Sequence, residues 1–148
     1  MSDAAAPVLR LELVAPRGPV FEGDVHQVIL PGVEGELGIL PRHAPLVAQL
    51  AIGRMRVETT DGEWLDFAVA EGFAKVQANR VIVLADSAQA ASEIDVQRVK
   101  LSVEESLKRL EMYRSGTVPE GEDVDPYREQ LALKRAQNRL RVAGKTEE

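Results

Sequence analysis

In "GELGILPRHAPLV", Gly35 to Val47, a carboxylate, a guanidinium and an imidazole stand close together: Glu36, Arg42 and His43. Pro41 and Pro45 bracket Arg42, His43 and Ala44, and each removes a backbone donor where a continuing strand would need one. The stretch reads as a strand followed by a stiff polar turn, with Leu37, Ile39, Leu40, Leu46 and Val47 around it. Such a turn is either an ordinary surface connection or a rigid contact held out to a partner. A second concentration of charge lies near the other end of the chain. From Tyr127 to Lys145 there are Arg128, Lys134, Arg135, Arg139, Arg141 and Lys145 against one acid, Glu129. At helical spacing Arg135 and Arg139 are one turn apart on one face, a geometry suited to bridging an anion. The plainer reading is a solvated face with cations set favourably near a helix C-terminus.

Catalysis finds little to work with. No lysine-bearing glycine loop follows a strand and opens a helix, since the glycines of "GVEGELG" do neither. His43 lies in a proline-rich turn with no hydroxyl beside it, so no Ser-His-acid set is apparent. The carboxylates fall in loops or on helix faces, away from apolar pockets that would separate their pKa values. The chain has no cysteine and only His26 and His43. No catalytic residue and no metal ligand is therefore assigned, and His26 reads as a satisfied strand residue.

Composition points the same way. Of 148 residues 45% are hydrophobic but only 4% aromatic, so a core of Val, Leu, Ile and Ala is expected. The net charge of −6 argues against nucleic acid as a partner, because phosphate neutralisation needs clustered cations. No apolar run approaches the roughly 20 residues of a membrane span, and "MSDAAAP" has no signal-peptide pattern. A soluble, intracellular protein without direct membrane insertion is expected.

The elements that must carry these residues change character near Asp86. Before it the hydrophobic period is two: Leu9, Leu11 and Leu13 alternate with Arg10 and Glu12, and Met55 and Val57 with Arg54, Arg56 and Glu58. Asp61-Gly62 predicts a hairpin, Ala78-Asn79-Arg80 another, and the run Val81 to Ala85, apolar throughout, a buried strand. Short strands at this spacing predict a β-sandwich or barrel. After Asp86 the period is helical. Ser92 and Asp95 resemble a capping box before the stripe Val96, Val99, Val103, Leu107 and Leu110. "RSGTVPEGEDVDP" breaks this helix, and Asp125-Pro126 starts a second one with the stripe Leu133, Ala136, Leu140 and Ala143. Helices over about 93–114 and 126–143, joined by an acidic linker 115–125, are expected to pack as an antiparallel pair.

"VILPGVEGELGILPRHAPLV", followed by "GRMRV", "AEGFAKVQANRVIVLAD", "EIDVQR" and "ALKRAQNRLRVAG", closely resembles the epsilon subunit of the bacterial F-type ATP synthase, in order and over nearly the whole chain. The resemblance implies a ten-stranded β-sandwich over 8–86 after a flexible N-terminus 1–7, and a two-helix hairpin domain over 87–148. It implies a non-catalytic rotor subunit on the cytoplasmic face of the bacterial inner membrane, with the sandwich coupling the gamma stalk to the membrane c-ring. Glu36 and His43 match positions that face the ring, and Arg42 stands where the family commonly has glycine. The hairpin is implied to inhibit ATP hydrolysis by extending to the alpha and beta subunits, with Lys134, Arg135, Arg139 and Arg141 docking it. Some members hold ATP as a sensor. Their motif is matched here by Ile94, Asp95 and Arg98 together with Arg135 and Arg139, while Val99, Gln89 and Glu105 depart from it. No cofactor is expected, with a weak ATP site on those residues as the alternative. A different class of function, a stand-alone sandwich binding module with a helical oligomerisation arm, is the competing reading.

Overall fold

Alternation of leucine with charge produces the first strand, β1 (Leu9–Ala15): Leu9, Leu11 and Leu13 are buried while Arg10 and Glu12 point outward. The computed structural model describes residues 6–144; residues 1–5 of the segment expected to be flexible, and Lys145 of the basic run, lie outside the described residues. Five further strands follow, β2 (Gly18–Gly32), β3 (Gly35–Ile39), β4 (Leu46–Thr59), β5 (Trp64–Gln77) and β6 (Arg80–Ala90). Their order is β1-β6-β5-β4-β2-β3, and β1 also pairs with β2. The sheet thus closes on itself, with the short β3 left as an edge strand. All pairings are antiparallel except β1 with β6.

The core lies inside this closed sheet. It combines Leu9, Leu11 and Leu13 with Val25, Val28, Leu30, Ile39, Leu50, Met55, Val57, Phe67, Val69, Val76, Val81 and Val83. Each such side chain contributes about 1.5–3 kcal/mol relative to leaving it in water. Phe21 and Phe67 meet edge to face with centroids 5.9 Å apart. Asp61-Gly62 forms its turn, with Gly62 at φ 86 and its N–H on the Thr59 carbonyl. Ala78 and Asn79, at φ 53 and 61, form the two-residue turn between β5 and β6, the mirror-image type that matches strand twist.

Two expectations about the strands need correction. Six continuous strands run through the described residues where ten were expected, because β2, β4, β5 and β6 run on for 15, 14, 14 and 11 residues, with bends rather than breaks in β2 and β5. The bends are local: β2 shifts register between Val25 and Gln27 and between Ile29 and Gly32, and β5 turns through Glu71 and Gly72 at positive φ. At Gly72 a Cβ would lie 2.0 Å from the Leu84 carbonyl oxygen, so β5 and β6 meet there without room for a side chain. The run Val81 to Ala85 is not buried throughout either. Val81, Val83 and Ala85 face the core, while Leu84 is 56% exposed on the outer side.

The chain divides into two compact units between Ala91 and Ser92. The expected boundary at Asp86 falls inside β6, which runs on to Ala90 opposite Phe67. A single 3₁₀ turn, Ala91–Glu93, precedes α1 (Val96–Ser115), and α2 spans Pro126–Val142. Asp95, not Ser92, caps α1, accepting the Arg98 N–H, and Gly116 ends it in the left-handed region. Asp125 caps α2 through the Tyr127 and Arg128 N–H groups, with Pro126 as the first helical residue.

The inward stripe of α1 also differs from the one expected. Val99 and Ser106 are buried, Val96, Val103 and Leu110 half-buried, and Leu107 exposed. On α2, Ala136, Asn138 and Val142 are buried, with Leu133, Leu140 and Ala143 half-buried. Small residues at such positions let two helices approach closely.

Candidate functional site

The proline-flanked loop takes its shape from hydrogen bonds as much as from its prolines. The His43 N–H donates to the Leu40 carbonyl at 3.1 Å, closing a turn through Pro41 and Arg42. His43 is half-buried, and its Nδ1 lies 2.7 Å from the Ala44 carbonyl oxygen. Arg42 is exposed at φ 68, in the left-handed region that costs a side chain roughly 1–2 kcal/mol. That backbone is the physical reason a glycine suits this position. The Arg42 N–H donates to Oδ1 of Asn79 at 2.8 Å, tying the loop to the β5–β6 turn. Glu36 is exposed on β3, opposite Pro31, and among the described residues no hydrogen bond or ion pair joins it to Arg42 or His43. Arg42 and His43 therefore form one rigid group, with Glu36 apart from it on the edge strand.

Sequence reasoning missed two features of this unit. Asn79 is one, although an Asn at a hairpin tip is itself a signal for positive φ and side-chain turn bonds. The other is a stripe of apolar side chains on the outer side of β4, β5 and β6. Val47, Phe73 and Leu84 are 68%, 57% and 56% exposed. Phe73 pairs directly with Leu84 and with Gln49, and Val47 with Lys75, so all three share one face. Val33, also exposed, is brought alongside by its N–H on the Gln49 carbonyl. Contiguous exposed apolar residues of this kind mark contact surfaces.

In the helical unit the four cations expected to act together are divided. Lys134 and Arg141 are exposed and two turns apart, on a side of α2 that also carries Tyr127, 69% exposed. Arg135 and Arg139 are half-buried. Burial, reinforced by the neighbouring charge of Arg135, pushes the Arg139 guanidinium below its ordinary value. Glu129, the one acid of α2, turns toward α1, where Oε2 accepts the Ser106 hydroxyl at 2.8 Å and Nη1 of Arg109 at 3.3 Å. The solvent side of α2 is thereby left basic.

The residues matched to a nucleotide site serve structure in part. Ile94 is buried, Asp95 is occupied as the α1 cap, and Arg98 is exposed. Glu105 lies 3.8 Å from Arg109, one turn along α1. A depression of about 490 Å³ in this unit is lined by Asp123, Val124, Asp125, Arg128, Glu129 and Ala132, none of them among the expected residues, and its three carboxylates would repel a polyphosphate. Among the described residues no group of three His, Cys, Asp or Glu side chains is placed to hold a metal. No described helix is long and apolar enough to cross a membrane.

Comparison with known proteins follows the two units closely. Residues 8–91 match the family described as "ATP synthase, Delta/Epsilon chain, beta-sandwich domain", and residues 92–144 the one described as "ATP synthase, Delta/Epsilon chain, long alpha-helix domain". The ATP synthase epsilon chain of Halalkalibacterium halodurans is 44% identical over 140 residues, covering 94% of this chain and 99% of that protein. The chain belongs to the ATP synthase epsilon-chain family. The epsilon chain of Desulforamulus reducens is 40% identical over 138 residues, covering 93% of this chain and 98% of its own. The fold is also that of a chain in the mitochondrial ATP synthase of Euglena gracilis, solved with OSCP, F1 and the c-ring. That match has a TM-score of 0.70 at 22% identity, over 93% of this chain and 81% of the other. As a member of the epsilon-chain family, the protein is a non-catalytic subunit of the rotating central stalk of ATP synthase.

Proposed function

We propose that the β unit couples the gamma stalk to the c-ring, and that the helical unit restrains ATP hydrolysis. The observation that carries the reading is the outer apolar stripe of Val47, Phe73 and Leu84, next to a polar loop braced by two prolines. A stalk protein can seat on the stripe, where burial of apolar surface supplies affinity. The loop then meets the polar loops of the ring through Glu36, Arg42 and His43. A stiff loop loses little entropy on docking, which suits a contact that must transmit torque without slipping.

The helical unit supplies the regulatory half of the reading. With Glu129 turned inward, Lys134, Arg141, Arg135 and Arg139 leave α2 basic, a match for acidic segments of the alpha and beta subunits in the catalytic head. Asp95 is better explained as the α1 cap than as a ligand of ATP, and Glu105, paired with Arg109, brings a carboxylate that repels a triphosphate, so docking is preferred to nucleotide sensing. We also infer that α1 and α2 lie antiparallel, since Glu129 in the first turn of α2 reaches Ser106 and Arg109 in the second half of α1. The complex so served sits on the cytoplasmic face of the bacterial inner membrane.

The test is ATP hydrolysis by the assembled complex with the full chain and with a chain ending at Ala91. Assembly and coupling should survive the truncation while hydrolysis rises. Lys134→Glu with Arg141→Glu should relieve inhibition at every ATP concentration, and added salt should do so partially, because such contacts are screened over about 8–10 Å. Unchanged hydrolysis in both variants would exclude the inhibitory role. Calorimetry with ATP on the isolated chain separates docking from sensing: binding abolished by Arg135→Ala with Arg139→Ala would favour the sensor.

A further inference from the structure

Two segments distant in sequence, the proline-flanked loop and the chain at Val8–Arg10, converge on Asn79. Its Oδ1 accepts the Arg42 N–H at 2.8 Å, and its Nδ2 donates to the Val8 carbonyl at 2.8 Å. Its own carbonyl accepts the Arg10 N–H at 3.1 Å. The two side-chain bonds fix the orientation of the carboxamide, because a backbone N–H can only donate and a carbonyl can only accept. The backbone at Asn79 is left-handed, φ 61, and Asn tolerates that region better than most residues. One position must therefore adopt a left-handed turn, accept from one segment and donate to another. Asp lacks the donor, Gly lacks both groups, and Ser is too short to span them. Asn meets every condition.

We propose that Asn79 is the positioning residue of the Leu40–Pro45 loop. Its carboxamide holds Arg42, and through the turn His43, in register with the start of β1. Force on the loop then passes into β1, β5 and β6 as well as into the flanking β3 and β4. Without the bond the loop is joined to the unit chiefly through its two ends, and prolines near both ends stiffen it without anchoring it. The inference rests on the reading that this loop meets the c-ring, and it adds the residue that makes the contact stiff.

Two variants test it. Asn79→Gly keeps the left-handed turn and removes both side-chain bonds; Asn79→Asp keeps the acceptor for Arg42 and removes the donor to Val8. In the full chain, amide hydrogen exchange at Arg42 should quicken about tenfold or more in Asn79→Gly and stay slow in Asn79→Asp. Exchange at Val81 and Val83 should not change in either. In the assembled ATP synthase, proton pumping per ATP hydrolysed should fall in Asn79→Gly, as in Glu36→Ala with His43→Ala, and be largely retained in Asn79→Asp. Unchanged exchange at Arg42 in Asn79→Gly overturns the proposal. So does normal coupling in Asn79→Gly when the Glu36/His43 variant is uncoupled, a result that leaves the ring contact standing. Normal coupling in both overturns the ring contact, and the positioning role with it.

Discussion

Ser106 and Glu129 are joined between the two helices, hydroxyl to carboxylate, at 2.8 Å, and Ser106 is only 5% exposed. A buried hydroxyl on an otherwise apolar stripe keeps its place because Glu129 accepts its hydrogen bond, while Arg109 donates to the same oxygen. Such a pair fixes the register of two helices whose apolar contacts are mostly small and tolerant of sliding.

Replacing Glu129 by Ala should therefore cost about 1–3 kcal/mol, since the Ser106 hydroxyl stays buried without its acceptor. Ser106→Ala should cost less, about 1 kcal/mol, because the carboxylate keeps Arg109. Urea unfolding of both single variants and the double variant gives the coupling energy. Additivity within about 0.3 kcal/mol would show that the bond contributes nothing to stability.

Arg139 is charged and half-buried, with its guanidinium pushed below its ordinary value first by burial and then by Arg135. A base that holds its proton less tightly when folded destabilises the fold wherever it stays charged, and that cost fades only as pH rises through its folded pKa. The window is strongly alkaline, so this group should leave stability flat between about pH 5 and pH 9. Arg139→Gln should raise the melting temperature of the isolated chain at pH 7. A lower melting temperature would mean that contacts of the guanidinium outweigh its desolvation.

Gly72→Ala should be among the most damaging single substitutions in the β unit. Its φ of 120 disfavours any side chain, and the new Cβ would fall 2.0 Å from the Leu84 carbonyl oxygen. The strands must part, and a loss above about 3 kcal/mol is expected. Gly62→Ala is the control, at φ 86 with nothing within 4 Å, where about 1 kcal/mol should be lost. Equal losses in denaturant would refute the close approach of β5 and β6.

Arg42→Gly bears on backbone strain alone. Relief of the left-handed penalty, roughly 1–2 kcal/mol, is opposed by the extra chain entropy of glycine, roughly 0.5–1 kcal/mol. The variant should be neutral or up to about 1.5 kcal/mol more stable in thermal unfolding. Arg42→Ala should gain nothing, as alanine keeps the penalty. A clear loss of stability in the glycine variant would reveal a contact of the guanidinium that matters more than strain.

Much of this architecture could be read from the chain because one-sided burial leaves a plain alternation. Leu9, Leu11 and Leu13 were legible for that reason, as were the turns at Asp61-Gly62 and Asp125-Pro126. Leu84 was not, since an apolar residue awaiting a partner looks in sequence like one already buried. Ser106 was hidden by its polarity, with Leu107 beside it a more natural guess for the inward position. Bends in long strands left no mark beyond isolated glycines, so their number was misjudged. Glu36, Arg42 and His43 were visible as chemistry, but the bond that braces two of them comes from Asn79, on a different hairpin.

The parallel pairing of β1 with β6 also governs how the chain can fold as it is made. Arg10 finds its partner only when Arg80 has been synthesised, so the first strand leaves the ribosome with one neighbour, β2, and its other edge open. Pairings so distant in sequence make folding slow, because the entropy of closing the intervening chain is lost before any contact rewards it. The β2–β3 and β4–β5 hairpins can form early, but the closed sheet is the last thing to be completed. Until then the nascent subunit carries an exposed leucine-rich strand, the interval in which a chaperone would find it.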